Sequence, residues 1–110
     1  MKKKIFRIKK LKSKKKLVCL TAYSKPITKI LDKYCDIILV GDSVATAFYG
    51  MKNTKFISLD TIINHSLAVK RGIKKSTLVV DMPINTYKNF RQAEKNAKII
   101  NECLRKEFVK

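Results

Sequence analysis

Acidic residues are scarce in this sequence, with eight Asp and Glu against 26 Lys and Arg and a formal net charge of +18. Histidine is scarcer, represented by His65 alone, and glycine occurs only at Gly41, Gly50 and Gly72. Those glycines form neither a G-x-G-x-x-G run nor a phosphate loop, so a nucleotide fingerprint is absent. Cys19, Cys35 and Cys103 are odd in number, widely spaced and without a C-x-x-C pair. That argues against a disulfide framework and against a zinc site. Each lies in or beside an apolar stretch and is expected to behave as a small buried hydrophobe. No apolar run approaches the roughly 18 to 20 residues that a transmembrane helix needs. The opening MKKKIFRIKKLKSKKK begins like the charged part of a signal peptide. It lacks the apolar stretch of about 7 to 15 residues and the small-residue cleavage site that would follow. The expectation is a cytoplasmic protein with no membrane association.

What is present fits one domain, since 110 residues with 45% hydrophobic content can close one ordinary core. Ten of the basic residues and none of the acids fall in positions 1–16, which leaves +8 on the rest. This excess reads either as an arm for nucleic acid or an anionic surface, or as a solvated Lys-rich tail. Lys far outnumbers Arg, and Phe6 is the only aromatic residue in the segment. The forks and stacking rings of nucleic-acid binders are thus missing. Residues 1–16 are expected to be a flexible basic arm, and nucleic acid is not the expected partner.

From residue 16 onward, apolar β-branched runs alternate with helical spacing. The runs are LVCLTAY (17–23), DIILVG (36–41), STLVVD (76–81) and a weaker EFVK (107–110). Between them, Ile27, Ile30, Leu31 and Tyr34 share one helical face behind Pro26. Leu59, Ile62, Ile63 and Leu67 share another, with Ser58 to cap it and Gly72 to end it. Phe90, Ala93, Ala97, Ile100 and Leu104 form a third stripe. The pattern is β-α-β-α-β-α-β, with continuous apolar strands of the kind buried on both faces of a parallel sheet. Residues 43–56 are expected to be a long loop after the second strand, where α/β proteins concentrate their chemistry.

Two of these runs end in an acid: Asp42 follows Ile-Ile-Leu-Val-Gly and Asp81 follows Thr-Leu-Val-Val. Consecutive parallel strands are often neighbours, about 4.8 Å apart, so both acids are expected on one rim. Two like charges that close need a cation between them, and a hard divalent ion such as magnesium suits a carboxylate pair. The alternative for each acid singly is a helix cap or turn former. His65, mid-helix in NHSLAVKRG, is expected to be a packed or surface residue, and Tyr23 and Tyr87 end strand regions.

Taken together, LTAYSKPITKIL, DIILVGDS, NHSLAVKRG and LVVDMP resemble the amino-terminal half of the ketopantoate hydroxymethyltransferase family over residues 17–110. The resemblance implies a (β/α)₈ TIM barrel, of which residues 17–110 would be about the first half. It implies Mg²⁺-dependent transfer of a hydroxymethyl group from 5,10-methylenetetrahydrofolate to 3-methyl-2-oxobutanoate, giving 2-dehydropantoate in pantothenate synthesis. Carried over by motif, Asp42 and Asp81 would ligate Mg²⁺ and contact the 2-oxo acid. Ser43 would bind that acid, and Lys110, in the final Val-Lys, would offer a cation to its carboxylate. The third acid and the base that removes the C3 proton lie beyond residue 110 in the family, so no catalytic residue is assigned. The resemblance also implies a homo-oligomer.

Ser24 and Ala45 depart from the family's usual Asp and Gly, and Asn53-Thr54 keeps only part of its D-S-T turn. The chain is expected to be a fragment that by itself lacks transferase activity and is poorly soluble or self-associating. Two other readings accommodate parts of the pattern: a Mg²⁺-dependent 2-oxo acid enzyme of the phosphoenolpyruvate mutase and isocitrate lyase group, or a small basic nucleic-acid-binding module. A doubly wound, receiver-like fold fits the alternation as well.

Overall fold

The computed structural model describes residues 2–106. The expected fourth strand at 107–110, and with it Lys110, lies outside the described residues. The chain runs α1 (Lys2–Lys10), β1 (Cys19–Thr21), α2 (Lys25–Leu31), β2 (Ile37–Val40), α3 (Val44–Ala47), α4 (Leu59–Gly72), β3 (Thr77–Val80) and α5 (Phe90–Lys106). The strands form one parallel sheet in the order β1-β2-β3, with Thr21 opposite Leu39 and Val40 opposite Val80. Among the described residues no helix is long and apolar enough to cross a membrane.

A sequential, all-parallel order distinguishes this sheet from the doubly wound, receiver-like arrangement, whose first strand lies inside the sheet between later ones. Helix α4 packs against β2, β3, α2 and α5, so these helices make one layer on one side. Ile38 and Val40 point into that layer and are fully buried. Alternation sends Val79 to the other side, where it is 42% exposed. Crossovers of one hand between sequential neighbours put α2 and α4 on the same face, and among the described residues no element covers the second.

The core has two parts. Ala22, Cys35, Ile38, Val40 and Val69 pack together with Leu31, Ile73 and Leu78 around them. Val44, Ala45, Ile57 and Ile62 form a second cluster with Tyr23 and Val80. The segment expected as loop 43–56 thus begins as α3, because Val44 and Ala45 bury completely. Ala45, a departure from the family pattern, has a packed place for its methyl group. Of the cysteines, Cys35 is buried as expected and its thiol is pushed up by burial, whereas Cys19 is exposed.

Helix α4 starts where the sequence indicates, with Ser58 Oγ accepting the Thr61 N–H at 3.1 Å. Its inner line is Ile62, Ser66 and Val69, while Leu59 and Leu67 are half-buried at its edges. Helix α2 departs further. Thr28 is buried and Leu31 faces the core, but Ile27 and Ile30 are 43% and 57% exposed. Tyr34, read as part of the same stripe, lies past the helix end and is 72% exposed.

Helix α2 lies close against Gly72. A Cβ there would stand 2.8 Å from the Lys25 carbonyl oxygen and 2.9 Å from Thr28 Cβ. Neither atom can rotate away. Gly72→Ala is therefore expected to lower stability by about 1 to 2 kcal/mol, despite alanine's better helix propensity. A urea melt monitored by circular dichroism reads this directly, and an unchanged midpoint would contradict the close contact.

Residues 1–16 are expected to be a flexible basic arm, and within them residues 2–10 are helical. They form α1, and Lys4 Nζ donates to the Ser76 carbonyl at 2.9 Å. Arg7 pairs with Asp36 at 3.3 Å. These contacts dock the helix at the amino-terminal ends of the strands, where a carboxylate and a carbonyl are available to cations.

Candidate functional site

Asp42, Ser43 and Asp81 lie at the carboxyl ends of β2 and β3, and Tyr23 just past β1. The ladder continues one rung past β3, with the Asp81 N–H donating to the Val40 carbonyl at 2.8 Å. Asp81 therefore sits beside Gly41, and Asp42 follows on the neighbouring strand. A Cβ on Gly41 would lie 3.6 Å from both Cβ and Oδ2 of Asp81. The missing side chain leaves space next to the Asp81 carboxylate, on the side from which Asp42 leaves β2. Asp81 Oδ1 accepts its neighbour's amide, Met82 N–H, at 2.9 Å. Ser43 is the residue before α3, and its Oγ lies 2.5 Å from the hydroxyl of Tyr23 at the end of β1.

Two other aspartates, not singled out by sequence reasoning, serve the opposite end of the sheet. Asp32 is 6% exposed and accepts the N–H groups of Ser76 at 2.8 Å and Lys74 at 2.9 Å, with Lys75 at 3.2 Å. Burial alone would push its carboxyl up, but donation from Ser76, Lys74 and Lys75 outweighs it and holds the group below the ordinary aspartate range. Asp36 accepts the Val18 N–H at 2.9 Å. That bond is the main cause holding it low; burial opposes, while Lys15 and Arg7 reinforce it.

The contrast separates four acids into two kinds. Asp32 and Asp36 are consumed by backbone donors and hold chain segments together. Among the described residues, neither Asp42 nor Asp81 has an ion-pair partner; the Asp42 carbonyl accepts the Ala45 N–H at 3.0 Å, but its carboxylate accepts no hydrogen bond. No group of three or more His, Cys, Asp or Glu side chains able to hold a metal occurs among the described residues. The rim therefore offers two hard anionic oxygen donors with room beside them. Such a set suits a magnesium-like ion that keeps several positions for water and substrate oxygens.

The Tyr23–Ser43 pair adds directionality. Either hydroxyl can donate across this contact; with the phenol, the stronger donor, giving its proton to Ser43 Oγ, the serine proton would be left for another acceptor. Behind the pair stands an aromatic cluster that sequence reasoning did not assemble. His65 Nδ1 lies 2.7 Å from the Tyr23 carbonyl, and its Nε2 lies 2.8 Å from the Tyr49 hydroxyl. Phe48 meets the imidazole edge-on at 5.1 Å between centroids. The signals were an aromatic pair in the loop and a strand-end tyrosine, but nothing local tied them to a histidine on another helix. Tyr87 is exposed, lies outside this cluster and joins no described contact.

A family model described as ketopantoate hydroxymethyltransferase matches residues 2–110. The chain is 51% identical over 100 residues to a Pelagibacter ubique protein named 3-methyl-2-oxobutanoate hydroxymethyltransferase, covering 91% of this chain and 39% of that protein. Proteins of the same name from Agrobacterium fabrum and Anaplasma marginale are 44% identical over 91 residues and 47% over 92. Those matches cover 82% and 83% of this chain and 33% of each relative. The chain thus spans between about a quarter and two fifths of the length of the curated relatives it matches.

Proposed function

The chain belongs to the ketopantoate hydroxymethyltransferase family, and from that premise we propose that it contributes the oxo-acid-binding rim of a 3-methyl-2-oxobutanoate hydroxymethyltransferase. The proposed reaction moves a hydroxymethyl group from 5,10-methylenetetrahydrofolate to 3-methyl-2-oxobutanoate. Its product is 2-dehydropantoate, made for pantothenate synthesis in the cytoplasm by a homo-oligomeric enzyme. The observation that carries the reading is the pair of unpaired aspartates on adjacent strand ends, with the Tyr23–Ser43 hydroxyls beside them.

In this reading Asp42 and Asp81 would hold Mg²⁺. When bound, the ion supplies Lewis acidity toward an anionic 2-oxo acid and toward the charge that develops when C3 loses its proton. Everything else falls to the chain's own groups. Ser43 donates its hydroxyl proton to an oxygen of the oxo acid, and Tyr23 fixes the direction of that donation. The open space at Gly41 lets ligand oxygens come close to the strand ends. Lys110, outside the described residues, is proposed to face the substrate carboxylate as its cationic partner. The residues named here bind and orient; removal of the C3 proton is assigned to none of them.

The test uses the complete gene product containing these residues. Titration calorimetry with 3-methyl-2-oxobutanoate is expected to show saturable binding in Mg²⁺ and none in excess EDTA. Formation of 2-dehydropantoate is expected to require Mg²⁺ and the folate donor together. Metal-independent binding, or a protein that ignores the oxo acid in both conditions, would overturn the proposal.

A further inference from the structure

The strand β1 ends at Thr21, and its ladder to β2 closes with the Ala22 N–H donating to the Leu39 carbonyl at 3.1 Å. The Tyr23 carbonyl lies past the last rung. Its described partner comes from 42 residues away, His65 Nδ1 on α4 at 2.7 Å. A carbonyl oxygen can only accept, so the imidazole proton sits on Nδ1. Nε2 then has a lone pair to accept from the Tyr49 hydroxyl at 2.8 Å, and this tautomer satisfies both contacts. The ring is held edge-on by three aromatic neighbours, Phe48 at 5.1 Å, Tyr49 at 5.6 Å and Tyr23 at 6.4 Å. Few of its orientations would keep both nitrogens bonded.

The Tyr23 side chain, built on that same backbone, reaches Ser43 Oγ at 2.5 Å. An O–H···O contact this short tolerates little displacement of either oxygen. Moving the Tyr23 backbone would move the phenol and release the serine beside Asp42. We propose that His65 is a positioning residue for the oxo acid site: its Nδ1–H holds the Tyr23 carbonyl and thereby aims the Tyr23–Ser43 hydroxyl pair at the ligand. The inference rests on reading the Asp42–Ser43–Asp81 rim as that site. It assigns His65 no contact with substrate or metal.

Because His65 is the only histidine, the complete gene product gives a direct spectroscopic check wherever this remains its sole imidazole. Otherwise selective assignment through a His65 variant serves. Long-range ¹H–¹⁵N correlation is expected to show the Nδ1–H tautomer, without ligand. Two substitutions then separate positioning from bulk. In His65→Asn the amide nitrogen falls near the Nδ1 position and keeps the donor to Tyr23. In His65→Gln it falls near Nε2 and loses it. His65→Gln and His65→Leu are expected to raise the KM for 3-methyl-2-oxobutanoate about 10-fold or more, the scale of loss seen when a ligand's orienting partner is removed. kcat should fall far less, since the lost interaction serves ground state and transition state alike. His65→Asn is expected to stay within about threefold of wild type, on the same scale.

Equal behaviour of the Asn and Gln variants, or an Nε2–H tautomer in the wild type, would overturn the proposal. If the wild-type protein does not bind the oxo acid at all, the functional reading fails instead. The ligand-free tautomer and the shift of the Tyr23 ring signals in His65→Gln then decide the His65–Tyr23–Ser43 linkage by themselves.

Discussion

Replacing either Asp42 or Asp81 with asparagine is expected to weaken Mg²⁺-dependent binding of 3-methyl-2-oxobutanoate by about 100-fold or more while leaving the fold intact. Asparagine matches the shape of aspartate and keeps one acceptor oxygen, so what it removes is the charge. A divalent ion shared between two carboxylates has only waters and ligand oxygens to replace that charge. The fold should not notice, because neither rim acid has an ion pair among the described residues and the one local bond of Asp81 goes to its own neighbour. The thermal midpoint should therefore correspond to a change within about 0.5 kcal/mol. Calorimetric titration with and without Mg²⁺, beside a melting curve, reads both quantities. Variants that bind as tightly as wild type would remove the carboxylate pair from the site.

The opposite pattern is expected at the other end of the sheet. Asp32→Ala should cost on the order of 3 kcal/mol of stability, because it strands the buried Ser76 N–H and strips the Lys74 and Lys75 amides of their acceptor. For a domain of ordinary stability, about 5 to 15 kcal/mol, that is a large fraction of the total. Asp32→Asn should lose less, since one oxygen still accepts. The same contacts set an acid limit. Asp32 and Asp36 are both held below their unfolded values, so the folded state binds protons less readily than the unfolded chain. Their contribution is complete above the ordinary aspartate range and disappears as pH falls through the lowered, folded-state values. Denaturant midpoints measured from neutral pH downward should thus be level until the aspartate range and then drop. The drop should shrink in Asp32→Asn. A flat profile through that range would show that these acids do not support the fold.

This division between carboxylates engaged by backbone amides and carboxylates without an ion pair could not be read from the chain alone. Asp42 and Asp81 were legible because each ends an apolar run, and alternation of runs with helical stripes puts such ends on one rim. Asp32 and Asp36 carry no such mark. Their partners are backbone amides as far as 44 residues away, and a backbone amide has no signature in the sequence. His65 is similar: its place in NHSLAVKRG makes it one helical residue among others. Only the packing of α4 beside the end of β1 brings its Nδ1 to the Tyr23 carbonyl.

The helical faces show the same boundary. For α4, the cap at Ser58, the end at Gly72 and the buried Ile62–Ile63 pair were all readable, because caps and stripes are local properties. For α2 the stripe named Ile27, Ile30, Leu31 and Tyr34, yet of these only Leu31 faces the core, and the helix turns Thr28 inward beside Gly72. By itself, then, the sequence determined the alternation of strands and helices, the parallel pairing, the acids of the rim and the family. Those follow from periodicity and from motifs whose order along the chain is preserved. The tertiary structure alone decided which face of the sheet is covered, that the basic amino terminus docks as a helix, which aspartates are taken up by backbone amides, and that His65 stands behind Tyr23 and Ser43. Each of these depends on a contact between distant segments, and the energy of such a contact is set by geometry that no local pattern encodes.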